Sequence, residues 1–181
     1  MQLFIIALFI IFLFGILGIV YVSHYNSLQY KKTKIEQAEG LIDEVLRKRY
    51  DIVVRTSDII KNCLKEKKDY LKEYVQLKDA KISNFDLDRK LKEAVNIIQN
   101  LKNDYPELQD NPNMKEIVME IKNTEEKLSA AILYYNRYTN ELNELIRKFP
   151  SNVVAKFHHF KIKHFFDGKD MTDDDLLDFK L

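Results

Sequence analysis

The chain predicts an all-α fold, an N-terminal transmembrane helix followed by an elongated antiparallel four-helix bundle. Three observations carry that expectation. Only four Gly and three Pro occur in 181 residues, a composition that suits long helices and poorly suits a sheet protein with many tight turns. Apolar residues recur at spacings of three and four along Met114, Ile117, Ile121, Leu128, Ala131, Tyr135, Tyr138, Leu142, Leu145 and Phe149, with Thr124 as the polar member of the row. Such a 3.5-residue period is one face of a long helix packed along its length on other helices. Leu3 to Val22, finally, carries no charge and almost no polar atom.

Taken in order, Leu3–Val22 spans ~30 Å as a helix, the hydrocarbon thickness of a bilayer. Lipid offers no partner to free backbone groups, so a helix is required there. The length of the apolar run, the lack of Lys or Arg before it and the bulky Val20-Tyr21-Val22 at its end favour a retained anchor over a cleaved signal peptide. Gly15 and Gly18 are one residue short of a small-xxx-small spacing and read as lipid-facing. Lys31, Lys32 and Lys34 follow the span and nothing basic but the terminal amine precedes it. Positive-inside reasoning then puts the protein in the cell membrane as a single-pass chain, soluble part in the cytoplasm and N-terminus outside.

Beyond the span, Ile35, Ala38, Ile42, Val45, Ile52, Ile59 and Cys63 repeat the 3.5-residue row, with Arg49 and Thr56 as its polar members. This first bundle helix is expected to reach about Asn62 and to break between Asn62 and Lys67, a continuous helix to Ala80 being the alternative. Lys81 to Asp86 reads as a loop, with Asn84 or Asp86 as a cap for a helix from Leu87 to Asp104. Tyr105-Pro106 ends that helix, because proline lacks a donor and restricts the residue before it. Asn111-Pro112-Asn113 is a turn that opens the long helix ending at Phe149-Pro150. Ser151 is placed to cap a short helix from Asn152 to Phe157. An extended aromatic-basic segment follows to Phe166, and Thr172 is a candidate cap for a last turn through Leu177. The domains expected are residues 1–24 as anchor, 25–150 as bundle, and 151–181 as short helix and tail.

Lys and Arg (29) nearly balance Asp and Glu (28), so no basic excess recruits nucleic acid. Cys63 is the single cysteine, which excludes an intrachain disulfide. No phosphate-binding glycine loop, nucleophile elbow or H-E-x-x-H helix occurs. His158, His159 and His164 do not follow a known metal-ligand spacing. The expectation is therefore no enzyme, no cofactor, no metal and no evident small-molecule substrate. Arg49, Thr124, Glu125, Asn136 and Asn143 stand out as polar residues near the core rows. Arg49 is expected to pair with Glu125 inside the bundle, and the two asparagines to bond to facing helices, fixing register more than adding stability. Lys156, Phe160, Lys161, Lys163, Phe165 and Phe166 are candidates for the membrane interface. The competing view, that these aromatics close the end of the core, is favoured because exposed Phe is uncommon without a partner.

Tyr25-Asn26 after the span, Arg49-Tyr50-Asp51-Ile52, Tyr105-Pro106-Glu107-Leu108 with Asn111 and Asn113, Thr124-Glu125, Tyr135-Asn136, Asn143 and Phe149-Pro150-Ser151-Asn152 together resemble the LemA family, over about residues 25–166. The resemblance implies a bacterial single-pass membrane protein with a four-helix bundle and no established biochemical activity, and it carries over no catalytic residue. The chain departs from the family pattern at Val53-Val54-Arg55-Thr56-Ser57, where Ile/Leu-Pro-Asn-Leu-Val is common. Its last aromatic stretch also lacks the family's usual glycine and proline. The function expected is a membrane-anchored scaffold or adaptor for an unknown protein partner. A lipid-surface or envelope-stress sensor is the alternative, and an enzyme the rival.

Overall fold

The computed structural model describes residues 1–64, 69–79 and 82–167, and all regular structure among them is helical. In order these are α1 (Gln2–Leu64), α2 (Lys72–Val75) with a 3-10 turn (Gln76–Asp79), α3 (Asn84–Asp104), α4 (Pro106–Gln109), α5 (Pro112–Arg147) and α6 (Ser151–Phe157). The turn expected from Thr172 to Leu177 lies outside the described residues, as does the end of the expected break, residues 65–67. Two compact units result: Met1–Gln37 with Tyr134–Leu181, and Ala38–Leu133. Residues of α1 and of α5 belong to both.

The second unit is built on stripes of α1, α3 and α5. Its buried residues include Ile42, Leu46, Ile52, Val53 and Ile60 of α1, Leu91, Ala94, Val95 and Ile98 of α3, and Met114, Ile117, Ile121 and Leu128 of α5. On α1 the buried stripe walks around the helix. Val45 and Leu46 are both buried, then Ile52 and Val53, then Thr56 and Ser57, and it finishes on Ile60 while Ile59 is only half-buried. An α-helix repeats every 3.6 residues, so a strict seven-residue row drifts ~20° per heptad, which is why the row extrapolated to Ile59 and Cys63 falls behind.

The ends of these helices follow local chemistry. Ser83, rather than Asn84 or Asp86, caps α3. Its Oγ accepts from Asp86 N at 3.1 Å and donates to Asp86 Oδ2 at 2.8 Å. Asn111 caps α5, its Oδ1 accepting from Asn113 N at 2.9 Å and Met114 N at 3.3 Å. Pro112 thus occupies the first helical position, where a missing N–H costs nothing. Pro106 likewise opens α4, a single turn that buries Leu108.

The first unit gathers Leu28 and Ile35 of α1, Leu142 of α5, and Val154 and Ala155 of α6, with Tyr25, Tyr135, Tyr138, Leu145, Ile146 and Phe160 packed around them. Full burial of each large aliphatic side chain is worth about 1.5–3 kcal/mol. Phe149, the last member of the periodic row, is exposed, because α5 ends at Arg147 and the period no longer applies. The Phe149–Pro150 peptide bond is cis. Ser151 does not cap α6. It is buried, and its Oγ lies 2.6 Å from Leu145 O and 2.7 Å from Lys148 O, so its hydroxyl serves the last carbonyls of α5.

Helix α6 ends in a Schellman motif. Phe160 N donates to Ala155 O at 2.9 Å and His159 N to Lys156 O at 3.2 Å, while His159 adopts φ 56°. Glycine usually fills that left-handed position because a Cβ is unfavourable there. Replacing His159 with Gly is therefore expected to raise stability by about 0.5–1 kcal/mol, measured by denaturant unfolding of the full chain in detergent.

Candidate functional site

Arg49 lies on the inner stripe of α1 and is 1% exposed. Its Nη1 donates to Asp88 Oδ1 of α3 at 3.1 Å, and the other Asp88 oxygen accepts from Lys92 Nζ at 2.8 Å. Glu125, the partner expected from the sequence, does form an ion pair with Arg49, 3.9 Å from its Nη2, but its side chain is 54% exposed, so the pairing is at the edge of the core and not inside it. Thr124 takes the inner position on α5 instead, and the next residue is turned about 100° away. Asp88 is the acid that the sequence reading missed, although it stands at the same three-four spacing as Leu91, Val95 and Ile98. Arg49 Nε and Nη2 are buried without a hydrogen-bond partner, so the charge is only partly satisfied. Thr56 and Thr124 turn their hydroxyls onto Ile52 O and Ile121 O of their own helices, at 2.6 and 2.8 Å.

In the first unit, Asn136 and Asn143 hold a chain segment rather than a helix. Asn143 Oδ1 accepts from Lys163 N at 2.9 Å and its Nδ2 donates to Lys163 O at 2.8 Å. One turn-pair earlier along α5, Asn136 Oδ1 accepts from Phe166 N at 2.9 Å, and Tyr135 Oη donates to His164 O at 3.0 Å. An extended segment without a neighbouring strand must still satisfy its backbone groups, and these side chains do so. Two asparagines one heptad apart were the available signal; their target was not readable from spacing. Of the aromatic-basic candidates, Lys156 and Lys161 are exposed, while Phe160, Lys163, Phe165 and Phe166 are half-buried, Phe160 against the core.

The segment after α6 also borders a cavity of about 300 Å³ lined by Gln29, Lys32, Leu142, His158, His159, Phe160, Lys161 and Lys163. No carboxylate is among these residues. His158 is fixed by Tyr21, its Nε2 2.6 Å from Tyr21 Oη, and by Tyr25, with ring centroids 4.5 Å apart. Nearby, Glu141 joins Lys31 to Arg137, and Lys31 stands over the Tyr138 ring at 5.2 Å. The Lys31 contact holds the Glu141 carboxyl below its usual range, against a partial burial that pushes it up. A separate cavity of about 530 Å³ in the second unit is lined by Asp43, Arg47, Tyr50, Asp51, Leu77, Ile82, Asn84 and Leu87.

Two predictions follow from these contacts. Asp88→Leu removes the only acid hydrogen-bonded to the buried Arg49, leaving it the more distant, half-exposed Glu125, and is expected to cost about 3 kcal/mol, whereas adding Arg49→Met recovers most of it, read as a double-mutant cycle in chemical unfolding. For Glu141, a depressed folded-state pKa means stability that is complete above the ordinary glutamate range and lost as pH falls through the lowered value. Glu141→Gln is therefore expected to be less stable than the parent by about 0.5–1 kcal/mol at neutral pH, with the difference closing in acid.

The sequence matches the LemA family over residues 38–177. It is also similar to Protein LemA of Metamycoplasma hominis, with 27% identity over 157 residues, covering 82% of this chain and 71% of that protein. The match extends over both units and includes Arg49, Asp88, Asn136 and Asn143; the chain belongs to the LemA family.

Proposed function

We propose that this chain is a non-catalytic, membrane-anchored helical scaffold whose surface binds another protein. The observation that carries the reading is α1. Its N-terminal window is long and apolar enough to cross a bilayer, and no part of that window is buried within the protein. Water is a poor solvent for some twenty bare apolar side chains, and lipid is the environment that fits them. The helix continues without interruption to Leu64 and places Leu28 and Ile35 in the core. Cleavage behind the span would remove Tyr21, the partner of His158, which supports a retained anchor. The lysines after the span support a cytoplasmic soluble part, with the N-terminus outside.

For the partner we favour the 530 Å³ groove of the second unit. Leu77, Ile82 and Leu87 give its lining an apolar part, and Asp43, Arg47 and Asp51 a charged one, the mixture that protein-binding surfaces use. The basic cavity beside Tyr21 favours a second reading, in which the anchored protein senses the lipid surface.

Alkaline extraction of membranes is expected to leave the full chain in the pellet, and release into the supernatant would remove the anchor from the account. A photo-reactive residue at Ile82 of the full chain, expressed in cells, is expected to give a discrete protein adduct. The same residue at Met119, which is exposed outside the groove, is expected to give little. Equal labelling from both positions would contradict the groove as the binding surface.

A further inference from the structure

We propose that the basic cavity of the first unit is a binding site for the headgroup phosphate of an anionic phospholipid, and that α6 is its footing on the bilayer. The inference rests on the anchored reading of α1.

The argument begins at Tyr21. It closes the apolar stretch, so its hydroxyl marks the level at which hydrocarbon gives way to headgroups, the depth that tyrosine favours. That hydroxyl holds His158 at 2.6 Å, at the C-terminal end of α6. The end of α6 and the cavity beside it are thereby fixed at headgroup depth. Lys32 lies ten residues after Val22, about 15 Å along α1, within reach of a headgroup layer for a long side chain that snorkels.

The chemistry of the lining matches that position. Lys32, Lys161, Lys163, His158 and His159 are among the residues that line about 300 Å³, and no carboxylate is one of them. In a chain whose acids and bases nearly balance overall, 28 against 29, such a one-signed concavity is a local departure. Its volume suits a phosphate and the start of its glycerol, with Leu142 and Phe160 of the lining as apolar neighbours for the latter. Lys32 has Glu36 as an ion partner at 3.7 Å, both half-exposed, a contact that a phosphate can displace.

Two further features point the same way. His159, held at φ 56° in the turn that closes α6, is one of the residues that line the cavity. Alongside, Val153 and Phe157 are 59% and 72% exposed and four residues apart on α6, with Phe149 76% exposed just before it. Bare Phe side chains at that level are costly in water and at home in the upper acyl region, with Lys156 beside them for the headgroups. The bilayer accounts for both the apolar edge and the basic cavity.

The chain has no tryptophan, so Phe157→Trp provides a single fluorescent reporter at an exposed position. The full chain carrying it is reconstituted into phosphatidylcholine vesicles containing phosphatidylglycerol, with bromine placed on the acyl chains of one lipid or the other at equal mole fraction. Brominated phosphatidylglycerol is expected to quench several-fold more strongly than brominated phosphatidylcholine. Lys32→Ala and Lys161→Ala are each expected to lower that preference by about fivefold, and raised salt to weaken it. Equal quenching by the two lipids would overturn the headgroup site while leaving the anchor intact. Quenching by neither, with protein still in the vesicles, would overturn the footing of α6 as well. Protein that fails to enter vesicles at all would overturn the anchored reading and this inference with it. Loss of the preference on adding inorganic phosphate, but not sulfate at matched ionic strength, would reassign the cavity to a soluble phosphate compound and overturn the lipid assignment.

Discussion

Everything in this structure depends on the continuity of α1. One helix of 63 residues supplies a window long and apolar enough to cross a bilayer and then the inner stripes of both compact units. The two demands differ. The apolar window needs neighbours on every side and finds none in the protein, whereas the later turns need an apolar stripe on one side only. The sequence changes from one pattern to the other within a few residues around Tyr25, without Pro or Gly, so nothing in the backbone invites a break there. A helix that joins such a window to a folded part without a break transmits position and tilt, as a flexible linker would not.

The buried arginine is the clearest conflict within the fold. Arg49 is almost wholly removed from water, yet only one of its nitrogen atoms makes a hydrogen bond within the required geometry, to Asp88. Removing a charge from water costs several kcal/mol, and a buried pair seldom returns that in full, even with Lys92 and Glu125 at its edge. A leucine or methionine of similar volume would satisfy packing more simply. What the pair does provide is register between α1 and α3, since an acid one turn away would leave the guanidinium stranded.

Much of the helical pattern was legible in the residues themselves. The apolar window, the row from Met114 to Leu142, the proline-marked starts of α4 and α5 and the extended segment after α6 all follow from periodicity and from the missing donor of proline. What escaped has common causes. Glu125 does come within ion-pair distance of Arg49, 3.9 Å, but from the exposed side, because one step along the helix from Thr124 moves a side chain off the inner face; the hydrogen-bonded acid is Asp88. Asp88 shares the α3 row with Leu91, Val95 and Ile98, but acids are mostly exposed, so spacing alone does not mark it as a core partner. Asn136 and Asn143 were read as helix-facing because helices were the only partners in view; their bonds go to the backbone of a later segment, and no local pattern encodes a contact 20 to 30 residues away. His159 was unreadable as a left-handed residue, since histidine there runs against the ordinary preference for glycine.

The most direct test of the account is a spin-label scan of the full chain in bilayers, one label at a time from Phe9 to Gln37. The account predicts oxygen-rich, water-poor collision profiles through Val22, then a 3.6-residue oscillation that keeps its phase from Tyr25 to Gln37, with the inner positions Leu28 and Ile35 inaccessible to both probes. Aqueous accessibility between Phe9 and Val20, or a loss of helical phase between Val22 and Leu28, would contradict it.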